Sequence, residues 1–239
     1  MNIVIPMAGL GNRFRDSGFD LPKPLIDING VSMIEKAIRS LDIEGRYIFI
    51  IRETDYSNDL CKILTNVVPD CIIKKIYHVT DGPACTVNHV REYINNSSEL
   101  IVANCDQIMW WNGSSFLNYC RHSSFDGVVV TYNNNTSKNS YARIDRRGNI
   151  LCVKEKEVIS NISLNGIHYW KRGEYFISSY DKMVNAKDIS ENGEYYVGPT
   201  YNYMIEAGRS VGIYHIPEFQ HHAVGTPEDL REYIRNENS

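Results

Sequence analysis

No run of lysine and arginine stands out among the 239 residues, and the formal net charge is -4. A protein that grips nucleic acid through its phosphates carries a basic excess, so no nucleic-acid partner is expected. No apolar stretch approaches the ~20 residues that span a bilayer, so no membrane partner is expected either. The six cysteines, Cys61, Cys71, Cys85, Cys105, Cys120 and Cys152, form no C-x-x-C pair. That removes zinc-finger and thioredoxin-like readings, and scattered thiols suit a reducing compartment. The apolar N-terminus lacks a basic leader and runs directly into a glycine turn. It reads as a strand rather than a signal peptide, which makes the cytoplasm the expected location. Internal repeats and Pro- or Gly-rich linkers are absent as well, so residues 1–239 are expected to form one domain.

What is present is an ordinary globular composition, 43% hydrophobic, in a chain long enough to bury a core without disulfides. Residues 2–7 form an Ile- and Val-rich run that ends at Gly9 and Gly11, the pattern of a buried strand feeding a tight loop. Ser32 and Glu35 make a capping box before MIEKAIRSL, a helix start. Strands are predicted at 46–51, 72–77 and 100–103, and helices at 56–64 and 86–94. This alternation predicts an α/β fold, a mixed and mainly parallel central sheet with helices on both faces. After about residue 125 the pattern becomes short strands at 127–132, 141–145, 150–153 and 164–170. These predict a smaller antiparallel lobe laid on the same sheet. Helices are expected at 174–184, 201–207 and 227–235, with a late strand at 211–215, and Asn133 to Asn139 as an exposed loop.

The segment most informative about chemistry is Gly9-Leu10-Gly11-Asn12-Arg13-Phe14, followed by Pro22-Lys23-Pro24-Leu25. Glycines after a buried strand let consecutive amides turn towards an anion. Arg13 adds a planar cationic fork and Lys23 a point charge held between prolines. A dinucleotide fingerprint needs a small residue where Phe14 stands, which argues against a nicotinamide-dependent oxidoreductase. A Walker A loop needs a Gly-Lys-Ser/Thr tripeptide that the chain lacks. Further on, Asp106 follows the buried run Leu100–Ala103. A carboxylate at a strand's carboxyl end is well placed to hold Mg²⁺.

Gly9, Gly11, Arg13 and Lys23 resemble the signature loop of the sugar-phosphate nucleotidylyltransferases, which include glucose-1-phosphate thymidylyltransferases and mannose-1-phosphate guanylyltransferases. The resemblance implies a Rossmann-like nucleotidyltransferase fold. Residues of about 1–125 would bind nucleotide and residues of about 126–239 the acceptor. The loop from Ala8 through Gly9, Leu10 and Gly11 to Asn12 would wrap the triphosphate of a nucleoside triphosphate, with Arg13 and Lys23 as the catalytic cations. Asn104-Cys105-Asp106 is similar to the family's Leu-Gly-Asp motif and implies Asp106 as the Mg²⁺ ligand. The family's second metal-binding Asp falls at Ala223 here. The adjacent His221 and His222 are poor Mg²⁺ ligands and are not expected to replace it. Asp81-Gly82-Pro83-Ala84 resembles the base-recognition turn, with Gly82 letting the base approach and His78 and Thr80 as neighbours.

Four later segments resemble the acceptor pocket and imply Tyr141, Glu155, Lys156, Asn165, Gly166 and Glu194 as acceptor-binding residues. Lys156 would pair with the acceptor phosphate. The implied reaction joins a nucleoside triphosphate to a small phosphorylated acceptor, a sugar 1-phosphate, and releases pyrophosphate in nucleotide-sugar or surface-glycan biosynthesis. The resemblance is compatible with a homo-oligomer. Two alternatives stay open: a cytidylyltransferase acting on a non-sugar phosphate or phosphonate, and a non-catalytic nucleotide-binding regulator, which Ala223 favours.

Overall fold

A computed structural model describes residues 1–54 and 56–237. In chain order the first half contains β1 (Asn2–Met7), α1 (Asn12–Arg15), β2 (Asp27–Ile28), β3 (Val31–Ser32), α2 (Met33–Leu41), β4 (Arg46–Arg52), α3 (Ser57–Val67), β5 (Ile72–Ile76), α4 (Pro83–Asn88), α5 (Arg91–Ile94), β6 (Leu100–Ala103), β7 (Gln107–Met109) and α6 (Gly113–His122). The second contains β8 (Gly127–Asn133), β9 (Ser140–Ile144), β10 (Ile150–Glu155), β11 (Ile162–Trp170), α7 (Gly173–Asn185), α8 (Thr200–Glu206), β12 (Val211–His215), β13 (His221–Ala223) and α9 (Pro227–Glu237).

β5, β4, β1 and β6 lie side by side and parallel. β11 then runs antiparallel to β6 and also pairs β8, which in turn pairs β12 in parallel. The expected antiparallel strands therefore continue the main sheet. The β9–β10 hairpin joins it through a single register position, Ser163 against Tyr141. Two small ribbons, β13–β7 and β2–β3, stand apart from it.

Alternation sends Val4 to one side of the sheet and Ile3 and Ile5 to the other. Val4 packs with Val87, Trp170, Phe176 and Tyr201; the opposite side packs Ile34, Leu64 and Phe116. A third apolar cluster, Phe14, Ile28, Met33, Ile108, Val224, Leu230 and Tyr233, ties the first loop to the C-terminal helix.

Three local expectations differ from what forms. The predicted 86–94 helix is two short ones, α4 and α5, because the backbone at Val90 leaves helical geometry (φ -114°, ψ 23°) and puts the side chain in the core. Helix α6 was not expected from its polar sequence; Asn112 caps it by accepting from the Ser115 amide at 2.6 Å. Asn12–Arg15, expected as loop, closes into the single turn α1.

Candidate functional site

Because β1, β5 and β6 are parallel, the loops at their carboxyl ends emerge on one edge of the sheet. After β1, Ala8 is buried, Gly9 and Leu10 are exposed, and Gly11 (φ +64°) turns the chain into α1. Phe14, 1% exposed, anchors that turn edge-on against Phe19 at 5.2 Å. The residue whose bulk argues against a dinucleotide loop is thus the loop's apolar anchor. Asn12 accepts from Arg15 at 2.7 Å. Arg13 stays exposed, close enough that its charge opposes that of Lys23.

Lys23 opens a 3-10 turn, Lys23–Leu25, and packs its Cβ against Gly11. Its Nζ donates to the Asp106 carboxylate in a short ion pair that joins two motifs 83 residues apart. Burial alone would discharge both groups, but the surrounding charges and hydrogen bonds, chiefly those between the two partners, together outweigh it. Burial lowers and the Asp106 charge raises the Lys23 pKa, with a net rise. Burial raises and Lys23 lowers that of Asp106, with a net fall. Beside them sits Gly225, where a Cβ would stand 2.7 Å from the Asp106 carboxylate. Backbone bonding holds this segment in place, the Val224 amide donating to the Asp106 carbonyl at 2.9 Å. The Ala223 side chain offers no ligand atom.

β11 breaks register between Leu164 and His168. The irregularity contains Asn165 and Gly166 (φ +93°), and brings the Gly166 carbonyl to the Asn104 amide at 3.2 Å. A bulge of this kind re-aims side chains next to a site. Asp106, Glu155, Asn165 and Gly166 line one cleft of about 280 Å³ beside Pro83. Glu155 accepts from the Ser140 hydroxyl, and burial, the leading cause, pushes its pKa up.

Lys156 and Glu194 are not among the residues lining the cleft; each bonds to Tyr196, which does line it and which the sequence reading did not assign. Lys156 donates to the Tyr196 hydroxyl at 2.7 Å, and that hydroxyl donates to Glu194. Tyr141 is fully buried, its hydroxyl given to the Thr136 carbonyl at 2.7 Å. Gly82 (φ +105°) lies against backbone: an added Cβ would meet the Tyr195 carbonyl at 2.6 Å. Thr80 shares a hydrogen bond with Thr86 at 2.6 Å, and His78 lies 5.4 Å from the His89 ring. Gln107, His168 and His221 also line the cleft and were not assigned from sequence. The available signals were that Gln107 directly follows Asp106 and that the histidine pair directly precedes Ala223.

No protein-family model matches the chain, and no curated protein matches its sequence. Solved structures match it over nearly its full length. A nucleoside-diphosphate-sugar pyrophosphorylase from Vibrio cholerae RC9 superposes with a TM-score of 0.87 at 23% identity, covering 98% of this chain and 99% of that one. The inositol-1-phosphate CTP transferase of T. maritima gives a TM-score of 0.75 at 15% identity, over 98% and 96% of the two chains. A UDP-glucose pyrophosphorylase solved with UDP-glucose gives 0.76 at 14% identity, over 99% and 98%. With its mixed sheet and its loops gathered at one carboxyl edge, the chain has the fold of the sugar-phosphate nucleotidylyltransferases.

Proposed function

We propose that the chain is a nucleotidylyltransferase that joins a nucleoside triphosphate to a sugar 1-phosphate and releases pyrophosphate. The Lys23–Asp106 pair supports this reading most: it draws a glycine loop and a strand-end carboxylate into one crevice. The similarity of fold to nucleotide-sugar pyrophosphorylases supports it too.

The acceptor phosphate attacks the α-phosphorus in line, and pyrophosphate leaves with the bonding electrons. A phosphate monoester has a second pKa near ~6, so its attacking oxygen is largely ionised at neutral pH and needs no general base. Catalysis then lies in bringing two polyanions together and holding them aligned. Arg13 and Lys23 offset the triphosphate charge, and the amides of Ala8 to Asn12 cradle it. Lys156, braced by Tyr196, faces the acceptor phosphate.

The residues present fit Mg²⁺ as an ion that arrives with nucleotide. Asp106 provides one carboxylate, and among the described residues no group of three His, Cys, Asp or Glu could form a cage. Mg²⁺ is commonly held by one or two carboxylates with phosphate oxygens completing its shell. Asp106 would hold it, and the ion would supply charge neutralisation at the phosphates. Lys23 must share Asp106 with it, so the pair would loosen on nucleotide binding.

The test is a pyrophosphate-release screen of the four common nucleoside triphosphates against phosphorylated acceptors, with and without magnesium. Release with a sugar 1-phosphate, dependent on magnesium, is expected. Nucleotide binding without release for any acceptor would replace this reading with that of a regulator.

A further inference from the structure

One wall of the cleft carries more hydrogen-bonding capacity than the chain itself uses. Gln107 is 4% exposed and His168 6%. Among the described residues, neither amide atom of Gln107 has a partner, nor has Nδ1 of His168 or of His221. Asn165, 4% exposed, donates its amide nitrogen to the Met109 sulfur, a weak acceptor, at 3.6 Å. A buried polar atom left without a partner is destabilising. Several such atoms belong to residues that line one cleft, which leaves hydrogen-bonding capacity there unused by the chain.

These side chains are held in place. Gly166 lacks the Cβ that would stand 2.9 Å from the Gln107 amide oxygen, so the amide rests against the β11 bulge. His168 lies beside the rings of Trp170 and Tyr201, at 5.9 and 5.7 Å. The His221 ring packs on Tyr132 at 4.5 Å. β13, which carries His221, pairs with β7, which carries Gln107.

We propose that Gln107, His168 and His221 bind the hydroxyls of the acceptor, selecting a neutral polyol phosphate over a quaternary-ammonium alcohol phosphate. The proposal rests on the nucleotidyl-transfer reading and adds the residues that choose the acceptor. Amides and neutral imidazoles each donate and accept, as an alcohol does. Burial keeps both imidazoles uncharged at neutral pH, His168 down to about 3 and His221 to about 4. A quaternary ammonium can neither donate nor accept and would leave all of these groups unpaired. A site built to hydrogen-bond a ligand rejects such an analogue strongly. The carboxylates of the cleft are also engaged, Asp106 by Lys23 and Glu155 by the Ser140 hydroxyl.

The full chain is assayed with glucose 1-phosphate, inositol 1-phosphate and choline phosphate, by pyrophosphate release and by calorimetric binding, alongside Gln107→Met, His221→Phe and His221→Gln. Either polyol phosphate should exceed choline phosphate in kcat/KM by at least ~10-fold. Gln107→Met and His221→Phe should each raise the acceptor KM about 10-fold while leaving the nucleotide KM within about twofold, and His221→Gln should recover most of the loss. Melting curves confirm that the variants fold, and wild-type-like binding of nucleotide is the second control. A preference for choline phosphate, or acceptor KM values within about twofold of wild type in both apolar variants, overturns the proposal. Should no acceptor yield pyrophosphate, the transfer reading fails, and binding alone decides this one. Polyol phosphate bound by wild type and ~10-fold more weakly by both variants upholds it; no binding overturns it.

Discussion

Lys23 and Asp106 are the residues on which substitution should act most directly. Replacing Lys23 or Arg13 by alanine is expected to cut turnover on the order of 10²-fold, as loss of a preorganised electrostatic contact does. Steady-state pyrophosphate release measures this, and near-normal turnover in either variant would remove that residue from the chemistry. Asp106→Ala should abolish magnesium-dependent release. The pair also has a definite pH behaviour. Asp106 is held below the usual carboxylate range, so its contribution to stability is present above the unfolded pKa and lost as pH falls through the lower folded one. Lys23 is raised, so its contribution is complete below the unfolded lysine pKa and lost as pH rises past the higher folded one. Across the neutral range neither titrates. His168 behaves oppositely to a paired histidine, since burial holds it at about 3 against an ordinary 6.5. Below the ordinary value the unfolded chain takes up a proton that the folded chain refuses, so stability falls with acidity until about pH 3. His168→Phe should flatten the stability-versus-pH curve in that window by about one proton, ~1.4 kcal/mol per pH unit, in urea melts at a series of pH values.

Among elements, the contact of α6 with the end of α2 is sensitive to a single methyl group. Gly113 begins α6 where the chain passes the end of α2, and an added Cβ would stand 2.3 Å from the Asp42 carbonyl and 2.5 Å from that of Leu41. Both are backbone atoms and cannot rotate aside. Gly113→Ala is therefore expected to destabilise the fold by roughly 2–3 kcal/mol, a cost at the upper part of the overpacking range. Chemical denaturation measures it, and a change under ~0.5 kcal/mol would mean that the helix shifts freely. This junction also shows why α6 was not legible locally. GSSFLNYCRH has few apolar residues, and only Gly113, Phe116 and Cys120 are buried. The helix is held by its Asn112 cap and by what it packs on, neither of which a periodicity of apolar residues reveals. Elements with strong local signals, such as the Ser32-capped α2 and the all-buried centre of β4, formed where expected.

At the scale of the whole molecule, both large apolar clusters draw on both halves of the sequence. Val4, Ile48 and Val102 share one with Val129, Trp170 and Tyr201; Ile5 and Phe49 share the other with Val128 and Tyr169. The junction is the β6–β11 pairing. We expect a single cooperative unfolding transition, with tryptophan fluorescence and far-ultraviolet circular dichroism coinciding in urea. A fragment ending near residue 125 would lose the β11 strand that covers β6 and should not fold stably. Two separated transitions, or a folded fragment, would show that the halves are independent domains.

The sequence by itself determined the α/β alternation, the glycine loop with its two cations, and the carboxylate at a strand end. Each is encoded within a few consecutive residues through backbone conformation, burial pattern or charge, so no distant partner is needed to read it. Tertiary structure alone decided that Lys23 meets Asp106, that Gly225 stands beside them, and that Tyr196 links Lys156 to Glu194. It also turned Tyr141 into the core and set Gln107, His168 and His221 on one wall of the cleft. Those arrangements depend on the β11 bulge and on the β13–β7 ribbon, which joins residues more than a hundred positions apart. Pairings at such distance follow from how the whole sheet and its three apolar clusters close, a balance of packing that no local stretch of sequence contains.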